Sequence, residues 1–300
     1  MTETELATVR GYFAEKVGPI EQALDKWVPD EEVEPSVIHR AMRYSLFAGG
    51  KRVRPILAIA AAESIAPASD GMVDAAITLE LIHTYSLIHD DLPALDNDDL
   101  RRGNPTCHKV FGEAMAILAG DALLTLAFEV LSRLDGVTAD RRISLVEELA
   151  RAAGTVGGMI GGQVNDLEGE RKEATPELLD SIHRAKTGAL LRSSVRMGGI
   201  YAGASVQELA ALSRYGEHIG LAFQIVDDVL DVEESSEALG KTAGKDLAQQ
   251  KITFPAVYGA ERSREMAEEQ RRAAHDSLTP LGSRAEMLRQ IADFIVYRKA

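Results

Sequence analysis

Two stretches of the sequence concentrate carboxylates after apolar runs, an arrangement that suits a divalent cation. In the first, "SLIHDDLPALDNDDLRRGNP" (residues 86–105), five of the ten residues 90–99 are aspartates. The apolar pattern predicts a helix over residues 74–92, which Pro93 ends or kinks because proline disfavours helical dihedrals in the residue before it. Carboxylates in the last turn lie at the negative end of the helix dipole, so they require nearby cations.

The first cluster offers the oxygen ligands that Mg²⁺ prefers. Asp90, Asp91 and Asp96 are the candidate ligands, because the chain beyond Pro93 can fold back toward Asp90. Mg²⁺ commonly binds one or two protein carboxylates and completes its shell with water and phosphate oxygens. The guanidinium groups of Arg101 and Arg102 suit the same phosphates. A solvated acidic turn is the competing interpretation of this cluster taken alone.

A second stretch, "GLAFQIVDDVLDVEE" (residues 220–234), repeats the arrangement. An apolar helical run is expected to end in Asp227, Asp228 and Asp231, and the first and last of these share a helix face. Basic residues follow again, at Lys241, Lys245 and Lys251. Two acidic helix ends, each followed by cations, predict a two-sided cage in which a diphosphate bridges several Mg²⁺ ions.

A basic stretch upstream, "AGGKRVRPIL" (residues 48–57), suggests a second anion site. Its glycines allow a close backbone approach, and its cations suit a phosphate group. His83 lies seven residues before Asp90, nearly on the same helix face. A solvated basic turn and a core histidine are the alternatives. The cations of this stretch are Lys51, Arg52 and Arg54.

Composition excludes several functional classes. The 300 residues carry a formal net charge of -14, which argues against nucleic-acid or anionic-membrane binding. One cysteine, Cys107, excludes an intrachain disulfide and fits a reducing compartment. The start, "MTETELATVRGYFAEK", differs from a signal peptide, so we expect a cytoplasmic protein. Asp121 interrupts the longest apolar stretch, so we also expect no membrane span.

The chain is expected to be all-α and to form one domain over residues 1–300. Long segments rich in alanine and leucine lack β-branched runs of period two, and the loops are too short for a domain linker. Thr175 and Thr279 each precede a proline and are predicted helix N-caps. Ser205 and Glu208 have capping-box spacing.

These motifs together resemble the trans-isoprenyl diphosphate synthases, most closely the bacterial farnesyl diphosphate synthase type. The resemblance implies helices around a deep central cavity, usually in a homodimer. It also implies that an allylic diphosphate bound through Mg²⁺ ionises, and that isopentenyl diphosphate then attacks and loses a proton to the departing diphosphate. The matching blocks, which span about Gly49 to Pro255, are "GGKRVRP", "HDDLPALDNDDLRRGNPTCHKVFGE", "ILAGDALLTLAF", "GGQVNDL", "HRAKTGALL", "FQIVDDVLD" and "GKTAGKDLAQQKITFP".

The resemblance assigns roles to individual residues. The implied metal ligands are Asp90, Asp91, Asp96, Asp227, Asp228 and Asp231, with Asp227 the most direct ligand of the second motif. The implied allylic diphosphate ligands are Arg101, Lys186 and Lys241. The implied residues of the isopentenyl diphosphate site are Gly50, Lys51, Arg54, His83 and Arg102. Thr187 and Gln224 match polar groups near the developing cation.

Other residues are expected to play supporting parts. Gln163 and Asp166 match a motif that lines the cavity behind the reacting groups. Lys245, Asp246 and Lys251 either close over the substrate or pair with one another. Asp121 is expected to make a structural hydrogen bond, and Cys107 is expected to serve packing.

Product length is assigned from the two residues that precede the first cluster by five and four positions, Tyr85 and Ser86. In the family, bulk at these positions shortens the product, and Tyr85 resembles the fifteen-carbon makers, so we expect farnesyl diphosphate. Geranylgeranyl diphosphate synthesis is the alternative. A terpene cyclase is less favoured, since it needs no second anion site. A non-catalytic subunit that binds divalent ions or diphosphate is also less favoured, since it needs neither the arginine pair nor an apolar cavity.

Overall fold

The computed structural model describes residues 2–67, 69, 71–169, 175–237 and 252–298, apart from the side chains of 234–237. Four helices precede the first aspartate cluster: α1 (Glu3–Trp27), α2 (Ser36–Leu46), α3 (Val53–Glu63) and α4 (Gly71–Asp90). A hairpin of two short strands follows, β1 (Leu100–Arg101) and β2 (Asn104–Pro105). The next helices are α5 (Cys107–Phe111), α6 (Glu113–Ser132), α7 (Ala139–Ala153), α8 (Met159–Gly169) and α9 (Pro176–His183).

A π-helical turn, Arg184–Gly188, joins α9 to the second half of the bundle. That half contains α10 (Ala189–Ala202), α11 (Val206–Glu237), α12 (Phe254–Tyr258), α13 (Ala260–Ser277), a 3₁₀ helix (Thr279–Ala285) and α14 (Glu286–Tyr297). The hairpin holds the only strands in the part of the chain that the structure describes. The prediction of an all-α fold is therefore confirmed.

Helix α4 lies at the centre of the main hydrophobic core. It packs against α6 on one side and α3 on another, while α10 packs against α3 and α11. Residues on every side of α4 are buried, as expected for a helix that is apolar all round. A second apolar cluster joins α9, α11, α12 and α13; its buried members are Leu179, Leu221, Ile225, Val226, Ile252, Phe254 and Ala267.

The predicted helix boundaries are partly confirmed. Helix α4 ends at Asp90, so the first cluster does begin in its last turn. Thr175 accepts a hydrogen bond from the Leu178 amide, and Ser205 with Glu208 forms the expected reciprocal bonds. The N-cap prediction for Thr279 is wrong, because Thr279 lies inside the 3₁₀ helix and donates its hydroxyl to the Asp276 carbonyl.

The second aspartate cluster does not end its helix, contrary to expectation. Helix α11 continues through Asp227 and Asp231 to Glu237, since neither proline nor glycine interrupts the residues in between. The two clusters therefore differ: the first lies at a helix end and the second lies within a helix. Carboxylates within a helix keep a fixed spacing along one face.

Helix α6 is long and apolar enough to cross a membrane by length and composition, despite Asp121. In the structure 39% of its most apolar window is buried, and it packs against α4, α2, α5 and α7. Asp121 is exposed on this helix, and the structural hydrogen bond expected of it stays a prediction. Cys107 is buried and free, as the packing prediction requires.

Candidate active site

A π-helical turn carries two of the predicted site residues, Lys186 and Thr187. Such turns are rare and occur often at functional sites. Helix α8 approaches this turn closely at Gly162, where an added Cβ would lie 2.2 Å from the Lys186 backbone nitrogen. The absence of a side chain at Gly162 therefore allows α8 to present its own polar residues beside Lys186.

Lys186 is held by Asp166 from α8. Its Nζ donates to Asp166 Oδ2 at 2.7 Å. Burial opposes the charge on Lys186, but Asp166 and Asp90 outweigh it and raise the pKa of the ammonium group. Gln163, one turn earlier on α8, has a buried Oε1 with no hydrogen-bond partner within the described ranges. Asp166 is thus placed beside Lys186, and the cavity-lining role expected of these α8 residues stays a prediction.

The chain after α4 folds back as predicted, which brings Asp96 to the first cluster. The Asp96 amide donates to the Asp90 carbonyl at 2.8 Å, and the Asp98 amide donates to the Asp91 carbonyl at 3.1 Å. Burial raises the pKa of Asp90 to about 6, Asp96 and Asp91 add to this, and Lys186 and Arg101 oppose it. Lys186 and Arg101 thus offset only part of the effect that burial has on Asp90.

Asp91 differs from Asp90 because an arginine already binds it. Arg101 Nε donates to both carboxylate oxygens of Asp91, at 2.8 and 3.0 Å, and the Asp91 residue is 3% exposed. Burial opposes the charge on Arg101, but the bonds to Asp91 outweigh it and raise the pKa of the guanidinium. This pair fixes Arg101 beside the cluster. The metal-ligand prediction for Asp91 would require its oxygens to be shared with Arg101.

Asp227 of the second cluster faces three cations. Arg298, which follows α14, forms an ion pair with it and lies over the Phe223 ring at 4.1 Å. Burial raises the pKa of Asp227, while Arg298, Lys51 and Arg54 oppose the rise. No motif in the sequence marks Arg298 as a site residue, since it lies 71 residues from Asp227 near the end of the chain.

Asp228 points into the protein and not toward these cations. It accepts hydrogen bonds from Gln224 Nε2 at 2.7 Å and from the Phe254 amide at 2.9 Å. Thr187 Oγ1 in turn donates to Gln224 Oε1 at 2.9 Å. Burial raises the pKa of Asp228 to about 7, although the bonds from Phe254 and Gln224 oppose this. Gln224 and Thr187 are therefore brought together, while their place near a developing cation stays a prediction.

The upstream basic stretch contributes a second group of cations, but Arg52 is not part of it. Arg52 is 2% exposed and pairs with Glu80 and Glu21 at 2.7 Å each. The anion-binding interpretation of Arg52 is wrong, because both of its ion-pair partners lie in the protein framework. A lone glutamate in the apolar pattern of α4 was the available signal for this pair, since a buried charge needs a partner.

Arg54, Arg102 and His83 form the remainder of this group. Burial lowers the pKa of Arg54, and its Nε has no hydrogen-bond partner within the part of the chain described. Burial, reinforced by Arg54, Arg102 and Arg101, lowers the pKa of His83 well below its usual range. His83 is thus neutral among arginines. Lys51 is exposed beside them.

The hairpin that carries Arg102 is held in a strained turn. Arg102 has φ of 52° and Gly103 has φ of 80°, the positive values of a two-residue hairpin turn. Arg102 Nη1 donates to the Gly49 carbonyl. An added Cβ at Gly50, where φ is 150°, would lie 2.8 Å from Arg102 Nη1. The absence of a side chain at Gly50 therefore allows the approach of Arg102, while the expected approach of a phosphate to this stretch stays a prediction.

The two residues predicted to set product length lie on α4, one turn before the cluster. Tyr85 is 5% exposed, its hydroxyl has no hydrogen-bond partner among the residues described, and its ring packs edge-on against His89 at 5.7 Å. Ser86 donates to the His83 carbonyl. Tyr85 is therefore a bulky side chain within the main core, five residues before Asp90 on the same helix.

Several predicted residues lie outside the described residues. They are Lys241, Lys245, Asp246 and Lys251. Asp231 lies on α11 one turn after Asp227, and it is exposed. The roles predicted for all of these residues stay predictions.

The site fits Mg²⁺ through the chemistry of its donors. All candidate ligands are carboxylate oxygens, and burial raises the pKa of Asp90 despite the neighbouring lysine and arginine. Within the described ranges, no three His, Cys, Asp or Glu side chains converge closely enough to hold a metal ion alone. This pattern is compatible with Mg²⁺, which usually takes few protein ligands and keeps water and phosphate oxygens in its shell.

Comparison with known proteins extends the resemblance to most of the chain. The model of the polyprenyl synthetase family matches residues 35–292. Geranylgeranyl pyrophosphate synthase of Capsicum annuum chloroplasts is 49% identical over 290 residues, which is 96% of this chain and 78% of that protein. The large subunit 1 of the heterodimeric geranylgeranyl pyrophosphate synthase of Arabidopsis thaliana is 50% identical over 295 residues, which is 96% of this chain and 79% of that protein.

Solved structures show the same fold. An FPP/GFPP synthase from Zymomonas mobilis superposes with a TM-score of 0.86 at 35% identity, covering 97% of this chain and 99% of the other. Geranylgeranyl pyrophosphate synthetase from Pyrococcus horikoshii superposes with a TM-score of 0.87 at 31% identity, covering 97% of this chain and 99% of the other. The aspartate clusters and cations described above therefore lie in a known enzyme framework, and the chain belongs to the polyprenyl synthetase family of trans-prenyltransferases.

Proposed function

We propose that this prenyltransferase is a Mg²⁺-dependent geranylgeranyl diphosphate synthase that joins isopentenyl diphosphate to allylic diphosphates. This product differs from farnesyl diphosphate, which we expected on the basis of Tyr85. Support for the longer product comes from relatives named as geranylgeranyl synthases, which are 46–50% identical over 96% of the chain. Farnesyl diphosphate is the second candidate, favoured by the bulk of Tyr85 and by the 35% identical structure from Zymomonas mobilis, which is described as an FPP/GFPP synthase.

The observation that carries the proposal is the division of the cations into two groups. Lys186 and Arg101 interact with the first aspartate cluster. Arg54 and Arg102 lie beside the neutral His83, on which Arg101 of the first group also acts. One group therefore suits an anion that shares the carboxylates' metal, and the other suits an anion held by side chains. Two anion sites fit the condensation of two diphosphates, whereas a terpene cyclase needs only one.

The residues of the chain then have distinct tasks. Lys186 and Arg101 offset the charge that develops on the departing diphosphate, which is a preorganised electrostatic contribution. Bound Mg²⁺ would supply further positive charge to the same group. Arg54 and Arg102 hold isopentenyl diphosphate, and neutral His83 adds a hydrogen bond without adding charge. The departing diphosphate takes the proton, so no dedicated base is needed among these side chains.

A product assay tests the proposed function. The purified chain receives Mg²⁺, isopentenyl diphosphate and one allylic starter of five, ten or fifteen carbons, and the dephosphorylated products are separated by chromatography. We expect a twenty-carbon product from each starter. A fifteen-carbon product as the end point would favour the second candidate. A cyclic hydrocarbon formed without isopentenyl diphosphate would favour a cyclase.

We also propose that the chain forms a homodimer through α6. Ile117 and Leu118 on this helix are 44% and 49% exposed, which is unusual for a helix so apolar. A second copy of the same face would bury them in a symmetric contact. Light scattering should give twice the chain mass of 32.4 kDa, and Ile117→Glu should shift it toward the monomer.

A reducing compartment such as the cytoplasm is the proposed location. Cys107 is buried and unpaired, which agrees with such a compartment. The plant relatives named above are described as chloroplastic, a location that belongs to those proteins.

A further inference from the structure

A line of hydrogen bonds runs from α12 through α11 to the π-helical turn. The Phe254 amide donates to Asp228 Oδ2, and Gln224 Nε2 donates to Asp228 Oδ1. Thr187 Oγ1 donates to Gln224 Oε1. Asp228 is thus the hub of the line, and both of its oxygens are used.

Each oxygen of Asp228 accepts one hydrogen bond, and this fixes the direction of the other bonds in the line. A carboxylate accepts hydrogen bonds and donates none. Gln224 must therefore turn its NH₂ group toward Asp228 and its carbonyl oxygen toward Thr187. The Thr187 hydroxyl donates its single proton to that carbonyl, so its remaining lone pairs can only accept hydrogen bonds or face a positive charge. Asp228 thus determines, through Gln224, which way the Thr187 hydroxyl points.

We propose that Asp228 is a positioning residue that fixes the hydrogen-bond polarity of Gln224 and Thr187, and that it is not a metal ligand. The inference rests on the proposed function, which places Gln224 and Thr187 near a developing carbocation. Lone pairs and a carbonyl oxygen favour positive charge, whereas the NH₂ group of a reversed amide would oppose it. Asp228 therefore keeps the electron-rich sides of these two groups in place.

The neighbouring aspartate has a different environment, which separates the two roles. The side chain of Asp227 is 40% exposed and pairs with Arg298, a partner that a metal ion can displace. The side chain of Asp228 is 6% exposed, and it accepts hydrogen bonds from a backbone amide and a side-chain amide. Removing Asp228 from this setting to bind a metal would leave two buried donors unpaired, which is costly.

The second oxygen of Asp228 completes the start of α12. The first four residues of that helix are 254–257. Pro255 has no N–H, the Ala256 amide donates to the Thr253 hydroxyl, and the Val257 amide donates to the Thr253 carbonyl. The Phe254 amide is the remaining donor, and Asp228 accepts it. Asp228 thereby also ties α12 to α11.

An exchange of amide and carboxylate tests the proposal. Asp228→Asn should reverse the Gln224 amide, because the introduced side chain keeps its one oxygen for Phe254 and turns its NH₂ group toward Gln224. We expect kcat to fall at least about tenfold, with the KM of both diphosphates and the half-saturating Mg²⁺ concentration nearly unchanged. The double variant Asp228→Asn with Gln224→Glu restores an oxygen toward Thr187 and should recover most of the lost kcat.

Asp227→Asn is the matched control, and it should raise the half-saturating Mg²⁺ concentration. If Asp228→Asn raises it equally, Asp228 is a metal ligand and the proposal is wrong. If the double variant is no faster than Asp228→Asn, the polarity argument is wrong.

A measurement on the metal-free protein separates this inference from the proposed function. The exchange rate of the Phe254 amide, followed by NMR, should rise in Asp228→Ala and stay near the wild-type rate in Asp228→Asn. Equal rates in wild type and Asp228→Ala would contradict the anchoring role. This result does not depend on turnover, so it stands even if the wild-type chain fails to elongate any allylic starter.

Discussion

Lys186 on the π-helical turn donates to Asp166 on α8 at 2.7 Å, and Gly162 on the same helix lies against the backbone of that turn. The pair holds a half-buried ammonium group close enough to Asp90 to raise its own pKa. Lys186 is therefore held in place before any substrate arrives, as the proposed first anion site requires.

Replacing Lys186 by methionine tests this preparation. The variant keeps the length of the side chain but loses the charge, so we expect the KM of the allylic diphosphate to rise at least about tenfold, a loss of about 1.4 kcal/mol. The KM of isopentenyl diphosphate should change little. Arg184→Ala is the control, since Arg184 lies on the same turn, is exposed and pairs with Asp180. Equal rises of both KM values in Lys186→Met would contradict the two-site arrangement.

The stability of the metal-free protein should depend on pH through Asp90. Its pKa is raised to about 6, so between its unfolded and folded values the native state binds more protons than the unfolded state. The free energy of unfolding should therefore fall as pH rises from about 4 to about 6, by on the order of 3 kcal/mol for this group. Asp228, raised to about 7, acts in the same direction.

Denaturant titrations of chelator-treated protein at several pH values measure this effect. Asp90→Asn should flatten the slope, because the amide does not titrate. Added Mg²⁺ should stabilise the wild type more at higher pH, where Asp90 is ionised. A slope unaffected by Asp90→Asn would show that the raised pKa contributes nothing to folding.

Gly162→Ala tests the close contact between α8 and the π-helical turn. The added Cβ would lie 2.2 Å from the Lys186 nitrogen and 2.5 Å from its Cα, and backbone atoms cannot yield as a flexible side chain can. We expect a loss of about 2 kcal/mol or more in the free energy of unfolding, with reduced activity. Gly11→Ala is the control, since Gly11 is exposed in α1 with nothing within 4 Å of an added Cβ. That variant should be neutral or stabilised by up to about 1 kcal/mol.

Tyr85 provides the test of product length. Tyr85→Ala should lengthen the products, since it removes a ring from the main core and opens apolar space. Tyr85→Phe is the control: the hydroxyl has no partner in the described structure, so its removal should leave product length unchanged and stability equal or higher. Ser86→Phe should shorten the products. Unchanged products in Tyr85→Ala, in a protein that folds and turns over, would place the limit on chain length elsewhere.

The sequence predicted those parts of the site that depend on local patterning. Apolar periodicity, Pro93 and the aspartates together predicted the end of α4 and the return of Asp96, because each acts on its chain neighbours. The distinction between Arg52 and Arg54 was not accessible in this way. It depends on Glu21 and Glu80 from other helices, which bind Arg52 and leave Arg54 beside His83.

Contacts between distant segments explain the remaining differences. Arg298 reaches Asp227 across 71 residues, and Asp228 turns inward because Phe254 approaches it from a separate helix. Asp227 and Asp228 are adjacent in sequence and look equivalent there. On a helix, adjacent residues point about 100° apart, so one faces the cations and the other faces the core.

The chain length of the product tests the central claim most directly. Purified protein with Mg²⁺, isopentenyl diphosphate and geranyl diphosphate should yield a linear trans product of twenty carbons after dephosphorylation, detected by chromatography and mass spectrometry. The two-anion-site account predicts that elongation requires both diphosphates. Recovery of unextended geraniol alone, with no product longer than the starter, would contradict it.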